Sequence, residues 1–178
     1  MLLVVRGDET FWSVIQTACK SDPSSVERWN DRLVEALAKL RADEIISWDH
    51  QFLALAERAC RSDLWAAAHL INGGTSADGF FDFRCWLIGM GSQVYAEALQ
   101  HPDSLANVVR ASWDPRGIDA EAKIHGAPRQ AWLSVTRRRF DDYPVRDLVP
   151  KALEAADLDD IDQMEQRFPR LFSILAQT

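Results

Sequence analysis

The stretch from residue 63 to residue 90, DLWAAAHLINGGTSADGFFDFRCWLIGM, decides how the rest of the chain is interpreted. Apolar residues cover nearly every side of its two halves, and a short polar loop with two adjacent glycines, Gly73 and Gly74, separates them. A helix that is apolar all round is buried in a core or in a membrane, and each half is too short to span a bilayer. The stretch therefore predicts a buried helical hairpin.

Amphipathic helices are predicted around this hairpin. Before it, apolar residues recur at helical spacing in three segments, which begin at Asp8, Val26 and Asp43. Such spacing is typical of helices that bury one face. No run of residues alternates between apolar and polar in the way that a half-buried strand does. The fold class that follows is an all-α single domain.

The domain is predicted to have three parts. Residues 1–7 form a tail or a short edge segment, residues 8–110 form the helical core, and residues 111–178 form a C-terminal helical extension that packs on the core. The pattern weakens over residues 111–128, where prolines and glycines predict a loop with a brief helical turn.

Two features are predicted within the C-terminal extension. Residues 129–140 predict a helix whose buried side is built on Trp132, Val135 and Phe140. Pro169 predicts a break or a kink near the C-terminus, because a proline inside a helix removes a backbone donor and clashes with the preceding turn.

Composition and charge limit the classes of function. The chain has 178 residues, of which 47% are apolar, so it can build a substantial core. Its net charge of -7 argues against a general attraction to nucleic acid or to an anionic membrane. The N-terminus MLLVVRGDE is apolar for too few residues to be a signal peptide. We therefore expect a cytoplasmic protein that does not enter a membrane.

The three cysteines, Cys19, Cys60 and Cys85, are predicted to be buried free thiols. Their number is odd, their spacing is wide, and each lies in an apolar helical segment. This pattern is typical of a reducing compartment, and it includes no pair at redox or metal-binding spacing.

Most motifs with known chemistry are incomplete in this chain. Residues 74–79 match the glycines of a phosphate-binding loop, but Phe80 and Phe81 stand where the loop needs its lysine and its hydroxyl residue. A lone His69 in an apolar helix is interpreted as a structural histidine. The basic run at 137–139 is followed at once by two aspartates, which makes nucleic-acid binding an unfavoured hypothesis. We predict no catalytic residue, metal site or cofactor.

The polar residues of the hairpin remain as the candidate ligand-binding site. They are Asp63, Asn72, Gly73, Gly74, Asp78, Asp82 and Arg84. A buried charge is costly unless it is paired, so Asp82 and Arg84 are expected either to form ion pairs or to line a cleft. The spacing from Thr75 to Asp78 is that of a capping box, which would give the loop a purely structural role.

The same stretch resembles a bacterial family called domain of unknown function 4240. The resemblance is carried by the early FWSVI at residues 11–15 and by DLW, AAHLI, GG, DGF and DFRCWLI within the hairpin. Segments HPDSLA from His101 and FPRLF around Pro169 are also similar to the family. Thr75 stands where a cysteine is common in the family, which puts a general thiol role there in doubt. The resemblance implies no activity and no catalytic residue.

Two hypotheses of function follow. The first is a non-enzymatic binding or regulatory module that contacts another protein, because no catalytic constellation is complete. The alternative is a small-ligand-binding protein or an enzyme with its site at residues 72–84. The oligomeric state, the partner and any substrate stay open at this stage.

Overall fold

The computed structural model describes residues 6–20, 26–111, 121–144 and 161–175, and these residues form helices and connecting turns without a strand. The α-helices are α1 Arg6–Ile15, α2 Trp29–Leu37, α3 Ala42–Arg58, α4 Ser62–Ile71, α5 Ala77–Gly89, α6 Ser92–Gln100, α7 Ala106–Ala111, α8 Ala127–Thr136, α9 Ile161–Arg167 and α10 Pro169–Leu175. A π-helical turn, Gln16–Lys20, continues α1, and 3₁₀ turns cover Val26–Arg28, Pro102–Leu105 and Phe140–Asp142. The all-α fold class is confirmed.

The predicted buried hairpin consists of α4 and α5. Leu64, Phe83 and Leu87 have no exposed surface, and neither does most of the alanine run in α4. Both glycines between the helices have positive φ angles, +63° at Gly73 and +124° at Gly74. These angles favour glycine, because a Cβ atom is strained in that region. Gly73 directly follows Asn72, the last cap residue of α4, so its left-handed conformation closes the first helix.

The end of α5 is fixed by a close contact with α2. The indole of Trp29 is fully buried and lies against the backbone of Gly89, the last residue of α5. A Cβ atom added at Gly89 would lie 2.7 Å from Cε3 of Trp29 and closer still to Cζ3. Glycine is therefore needed here to make room for a ring.

The helix predicted for residues 129–140 is wrong at its C-terminal end. Helix α8 ends at Thr136, and the next residue, Arg137, is left-handed with φ of 57°. Its N–H donates to the carbonyl of Leu133 at 3.0 Å, which closes the helix and turns the chain away from the helix axis. Val135 and Phe140 are consequently 41% and 58% exposed, whereas Trp132 is buried as predicted.

The C-terminal helices are joined to the region after α6 by a side-chain cap. Helix α9 ends at Arg167 and α10 begins at Pro169, which confirms the predicted break near this proline. One carboxylate, that of Asp103, accepts hydrogen bonds from the backbone N–H groups of Arg170 at 3.2 Å and Leu171 at 2.9 Å. Two segments that are 67 or 68 residues apart are thereby held together. The expectations for residues 1–5, 112–120 and 145–160 lie outside the described residues.

The contact between Trp29 and Gly89 yields a stability test. Gly89→Ala should lower the free energy of unfolding by about 1–3 kcal/mol, because overpacking forces the ring or the helix to shift. Within an unconstrained helix, the same change stabilises by about 1 kcal/mol, so the sign of the effect reports the contact. Urea denaturation measures it.

The matched control is Gly126→Ala at the start of α8. A Cβ atom there meets only the end of the Gln130 side chain, at 3.5 Å. We expect the control to stay within about 0.5 kcal/mol of the parent. Equal effects of the two substitutions would contradict the packing explanation.

Candidate functional site

The contacts of Arg84 show how the fold accommodates a cation inside the hairpin. Its Nη1 donates to the carbonyl of Ala56 at 2.8 Å, and its Nε donates to the carbonyl of Phe80 at 3.3 Å. The guanidinium also lies 5.0 Å and 5.1 Å from the ring centroids of Phe80 and Phe81. Among the described residues it forms no ion pair with a carboxylate. The cation is instead stabilised by backbone carbonyls and aromatic rings.

The carbonyl that Arg84 reaches belongs to the last turn of α3. The last four carbonyls of a helix lack partners within the helix, and a cation is favoured there by the helix dipole. Tyr95 on α6 binds the same end of α3, because its hydroxyl donates to the carbonyl of Leu55 at 2.8 Å. That carbonyl also accepts from the backbone N–H of Ala59 at 3.0 Å, so Tyr95 adds a second hydrogen bond to it. Burial raises the pKa of Tyr95 to about 12, which keeps the hydroxyl protonated as a donor. Arg84 caps α3, and Tyr95 attaches α6 to the same helix end.

The loop between α4 and α5 is held by contacts to α4. The backbone N–H of Thr75 donates to Nδ1 of His69 at 3.2 Å, which confirms a structural role for this histidine. The indole of Trp65 stacks on Phe80 at 5.4 Å and donates to the carbonyl of Thr75 at 3.4 Å. The predicted cap is displaced by one residue, because the hydroxyl of Ser76, not that of Thr75, accepts from an amide of α5, at 3.1 Å.

Asp63 lies in the first turn of α4 and is paired within the chain. It forms an ion pair with Arg61, whose Nη1 donates to the carbonyl of Leu99 at 2.6 Å. The carboxylate of Asp63 therefore helps to attach the start of α4 to the end of α6.

The other polar candidates of the hairpin are Asn72, Asp78 and Asp82. Asn72 ends α4, and Asp78 is exposed in the first turn of α5. The backbone carbonyl of Asp82 accepts from the N–H of Ala122 at 3.0 Å, which attaches the segment before α8 to α5. A ligand site at residues 72–84 stays a prediction, although several of its polar groups already bind within the fold.

A buried polar pair outside the hairpin was not predicted. Asp49 in α3 is 8% exposed, and one of its oxygens accepts a hydrogen bond of 2.7 Å from the hydroxyl of Tyr143. Burial raises the pKa of Asp49, while Tyr143, His50 and His125 each oppose the rise. Burial and the adjacent carboxylate raise the pKa of Tyr143. A signal existed in the sequence, since Asp49 lies four residues from both Ile45 and Leu53 on the apolar face of α3.

The C-terminal end of α8 forms the basic and apolar surface that we call the α8 patch. It comprises Val135, Arg137, Arg138, Arg139 and Phe140, all of which are exposed. Arg129 stacks its guanidinium 3.1 Å from the ring centroid of Phe140 and donates to the carbonyl of the same residue at 2.8 Å. Over the described ranges, the three consecutive arginines form no ion pair with a carboxylate. The patch is therefore both charged and accessible.

The remaining features concern thiols, metals and membranes. Cys19, Cys60 and Cys85 are free and buried as predicted, and burial raises the pKa of Cys19 to about 12. Within the described ranges, no group of three or more histidine, cysteine or carboxylate residues is placed to hold a metal ion. None of the described helices has both the length and the apolar character that crossing a membrane requires.

Comparison with known proteins gives one match. Residues 7–132 match the family model described as a protein of unknown function (DUF4240). The match includes α1 to α7 and most of α8, and it ends before the α8 patch and before the FPRLF segment. Curated proteins and solved structures provide no significant match.

Capping of α3 by Arg84 predicts a specific loss of stability. Arg84→Lys should lower the free energy of unfolding by about 1.5–3 kcal/mol, because an ammonium group cannot reach two carbonyls and stack on the rings together. Arg58→Lys is the matched control, since Arg58 is an exposed arginine in the last turn of the same helix. Thermal denaturation measures both, and equal melting temperatures of the two variants would refute the cap.

The Asp49–Tyr143 pair predicts a dependence on pH. Because the pKa of Asp49 is raised above 3.8 in the folded state, the folded state holds the proton more tightly than the unfolded state does. The contribution of Asp49 to stability is thus largest below that value and falls as the pH rises through the folded pKa. Asp49→Asn should remove this fall in stability. The free energy of unfolding of the variant, relative to that of the parent, should therefore increase from pH 4 upward. A difference in the free energy of unfolding that does not change with pH would contradict the prediction.

Proposed function

The chain belongs to the DUF4240 family of proteins of unknown function, and we propose that it is a cytoplasmic, non-enzymatic binding module that recognises an acidic segment of another protein through the α8 patch. The exposed Phe140 beside three consecutive arginines is the observation that carries this proposal. Buried free thiols are consistent with a reducing compartment.

The polar residues of the hairpin support a non-enzymatic role. Arg84 caps α3, His69 orders the following loop, and Asp63 pairs with Arg61. An enzyme needs its nucleophile, base or charge-stabilising group to face a substrate. These groups are instead directed at neighbouring backbone and side chains of the same chain.

The α8 patch combines the two properties that a protein contact uses. Aromatic and arginine residues are enriched where binding energy concentrates in interfaces. Arg129 holds the ring of Phe140 from one side, so the ring is presented without the loss of freedom that a mobile side chain would incur on binding. Val135 adds a second apolar contact.

The charge of the patch selects the chemistry of the partner. Arg137, Arg138 and Arg139 outnumber the neighbouring exposed Asp141 and Asp142, so the end of α8 is locally basic within a chain of net charge -7. Such a site attracts a carboxylate-rich segment, and the exposed ring favours a segment that also carries an apolar side chain. Nucleic acid is less suited to the patch, because a phosphate backbone offers no aliphatic side chain to pack on the exposed ring of Phe140.

The proposal predicts charge-dependent binding of synthetic peptides. Fluorescein-labelled peptides that alternate glutamate with leucine or phenylalanine should bind the full chain, as measured by fluorescence anisotropy. The double variant Arg138→Glu/Arg139→Glu should bind about tenfold more weakly, which corresponds to roughly 1.4 kcal/mol. Phe140→Ser should also weaken binding without lowering the melting temperature, because its ring is largely exposed.

The matched control is Lys39→Glu/Lys123→Glu. It changes the net charge by the same amount at two exposed positions outside the patch. An equal loss of affinity in the control would mean that the weaker binding comes from the net charge of the chain and not from the α8 patch. Absence of peptide binding, or binding of a single-stranded oligonucleotide in place of the peptides, would overturn the proposal.

A further inference from the structure

A groove between α1 and α3 has the features of a small-molecule site that is separate from the α8 patch. Its volume is about 300 Å³, and the residues that line it include Phe11, Leu40, Asp43, Glu44 and Trp48. This volume lies at the lower end of the range in which proteins bind small ligands. We propose that the groove binds a small organic ammonium ion that also carries a hydrogen-bond acceptor.

The floor of the groove is aromatic. Phe11 and Trp48 stack with centroids 4.7 Å apart, and Phe52 stacks on the same indole at 5.4 Å. Both phenyl rings are buried, which fixes the indole in one orientation. A rigid apolar floor suits the hydrocarbon part of a ligand, because little freedom is lost when the ligand binds.

The unpartnered indole N–H of Trp48 indicates that the ligand carries a hydrogen-bond acceptor. Trp48 lines the groove and is 4% exposed, and its N–H has no hydrogen-bond partner among the described residues. A buried donor without a partner costs free energy, and native structures contain few of them. The nitrogen itself is enclosed, so a small shift of the side chains around the indole would let a hydroxyl or carbonyl oxygen of the ligand supply the acceptor.

The acidic side chains at the edge of the groove favour a cationic ligand. Among the described lining residues there are two carboxylates, Asp43 and Glu44, and no basic side chain. Asp43 is paired with Arg41, but both side chains of that pair are largely exposed, at 66% and 74%. Such a pair contributes little stability, so a ligand cation can replace the arginine at small cost.

Glu44 has a second role that limits which variants are informative. One of its oxygens accepts a hydrogen bond of 2.8 Å from the backbone N–H of Arg41, which caps the start of α3. Glu44→Gln retains an oxygen for this bond and removes only the charge. Asp43→Asn does the same at the neighbouring position.

The test uses choline and its uncharged isostere 3,3-dimethyl-1-butanol. These probes share their shape and their hydroxyl group, so they differ only in the cationic centre. The full chain is labelled with ¹⁵N, and the indole cross-peak of Trp48 is identified as the one lost in Trp48→Phe. Choline should shift this cross-peak in a saturable manner, and the isostere should bind about tenfold more weakly, a difference of roughly 1.4 kcal/mol.

Substitutions of Asp43 and Glu44 test whether these carboxylates bind the cation. Asp43→Asn/Glu44→Gln should weaken choline binding about tenfold, whereas Glu35→Gln, an exposed charge removal on α2, should leave it unchanged. Lack of saturation, equal affinity for the two probes, or unchanged affinity in the double variant would overturn the proposal. Because the peptide measurements depend on α8 alone, failure here leaves the proposed function standing, and the converse also holds.

Discussion

The carbonyl groups at the carboxyl end of α3 impose the constraint on which the centre of the structure depends. A helix end that is enclosed by protein needs donors from other elements, because water cannot supply all of them. Arg84 of α5 reaches Ala56, and Tyr95 of α6 reaches Leu55. Three helices are thereby fixed around one helix terminus. The position of the cation Arg84 in the mostly apolar α5 is explained by this need.

This arrangement has a consequence for function. The hairpin contains the chemically versatile residues, yet its arginine, its histidine and its cap serine already bind groups of the same chain. Other groups that are exposed or lack a partner among the described residues lie at the end of α8 and in the groove between α1 and α3. The exposed residues of the α8 patch can change with little effect on the packing of α4 and α5, whereas Phe11 and Trp48 of the groove belong to the buried core.

Prediction from sequence succeeded where the signal is local. The apolar stretches on both sides of Gly73 and Gly74 predicted two buried helices, and both are observed. It failed where the outcome depends on a distant partner. Arg84 was expected either to form an ion pair or to line a cleft, but it donates to a backbone carbonyl 28 residues away, and every residue has a carbonyl. The basic run at 137–139 was recognised, but the exposure of Val135 and Phe140 beside it was not, because the left-handed Arg137 ends the helix without a glycine or proline to signal it.

The sequence by itself determined the helical class, the buried hairpin, the buried thiols and the family resemblance, because hydrophobic periodicity and glycine placement are local properties. Only the tertiary structure decided which polar groups cap helices within the fold and which stay accessible to solvent. Asp49 and Tyr143 illustrate the difference, since they are 94 residues apart and meet only when α3 and the segment after α8 are packed. The assignment of a polar residue to fold or to function depends on its partner, and the partner is set by packing.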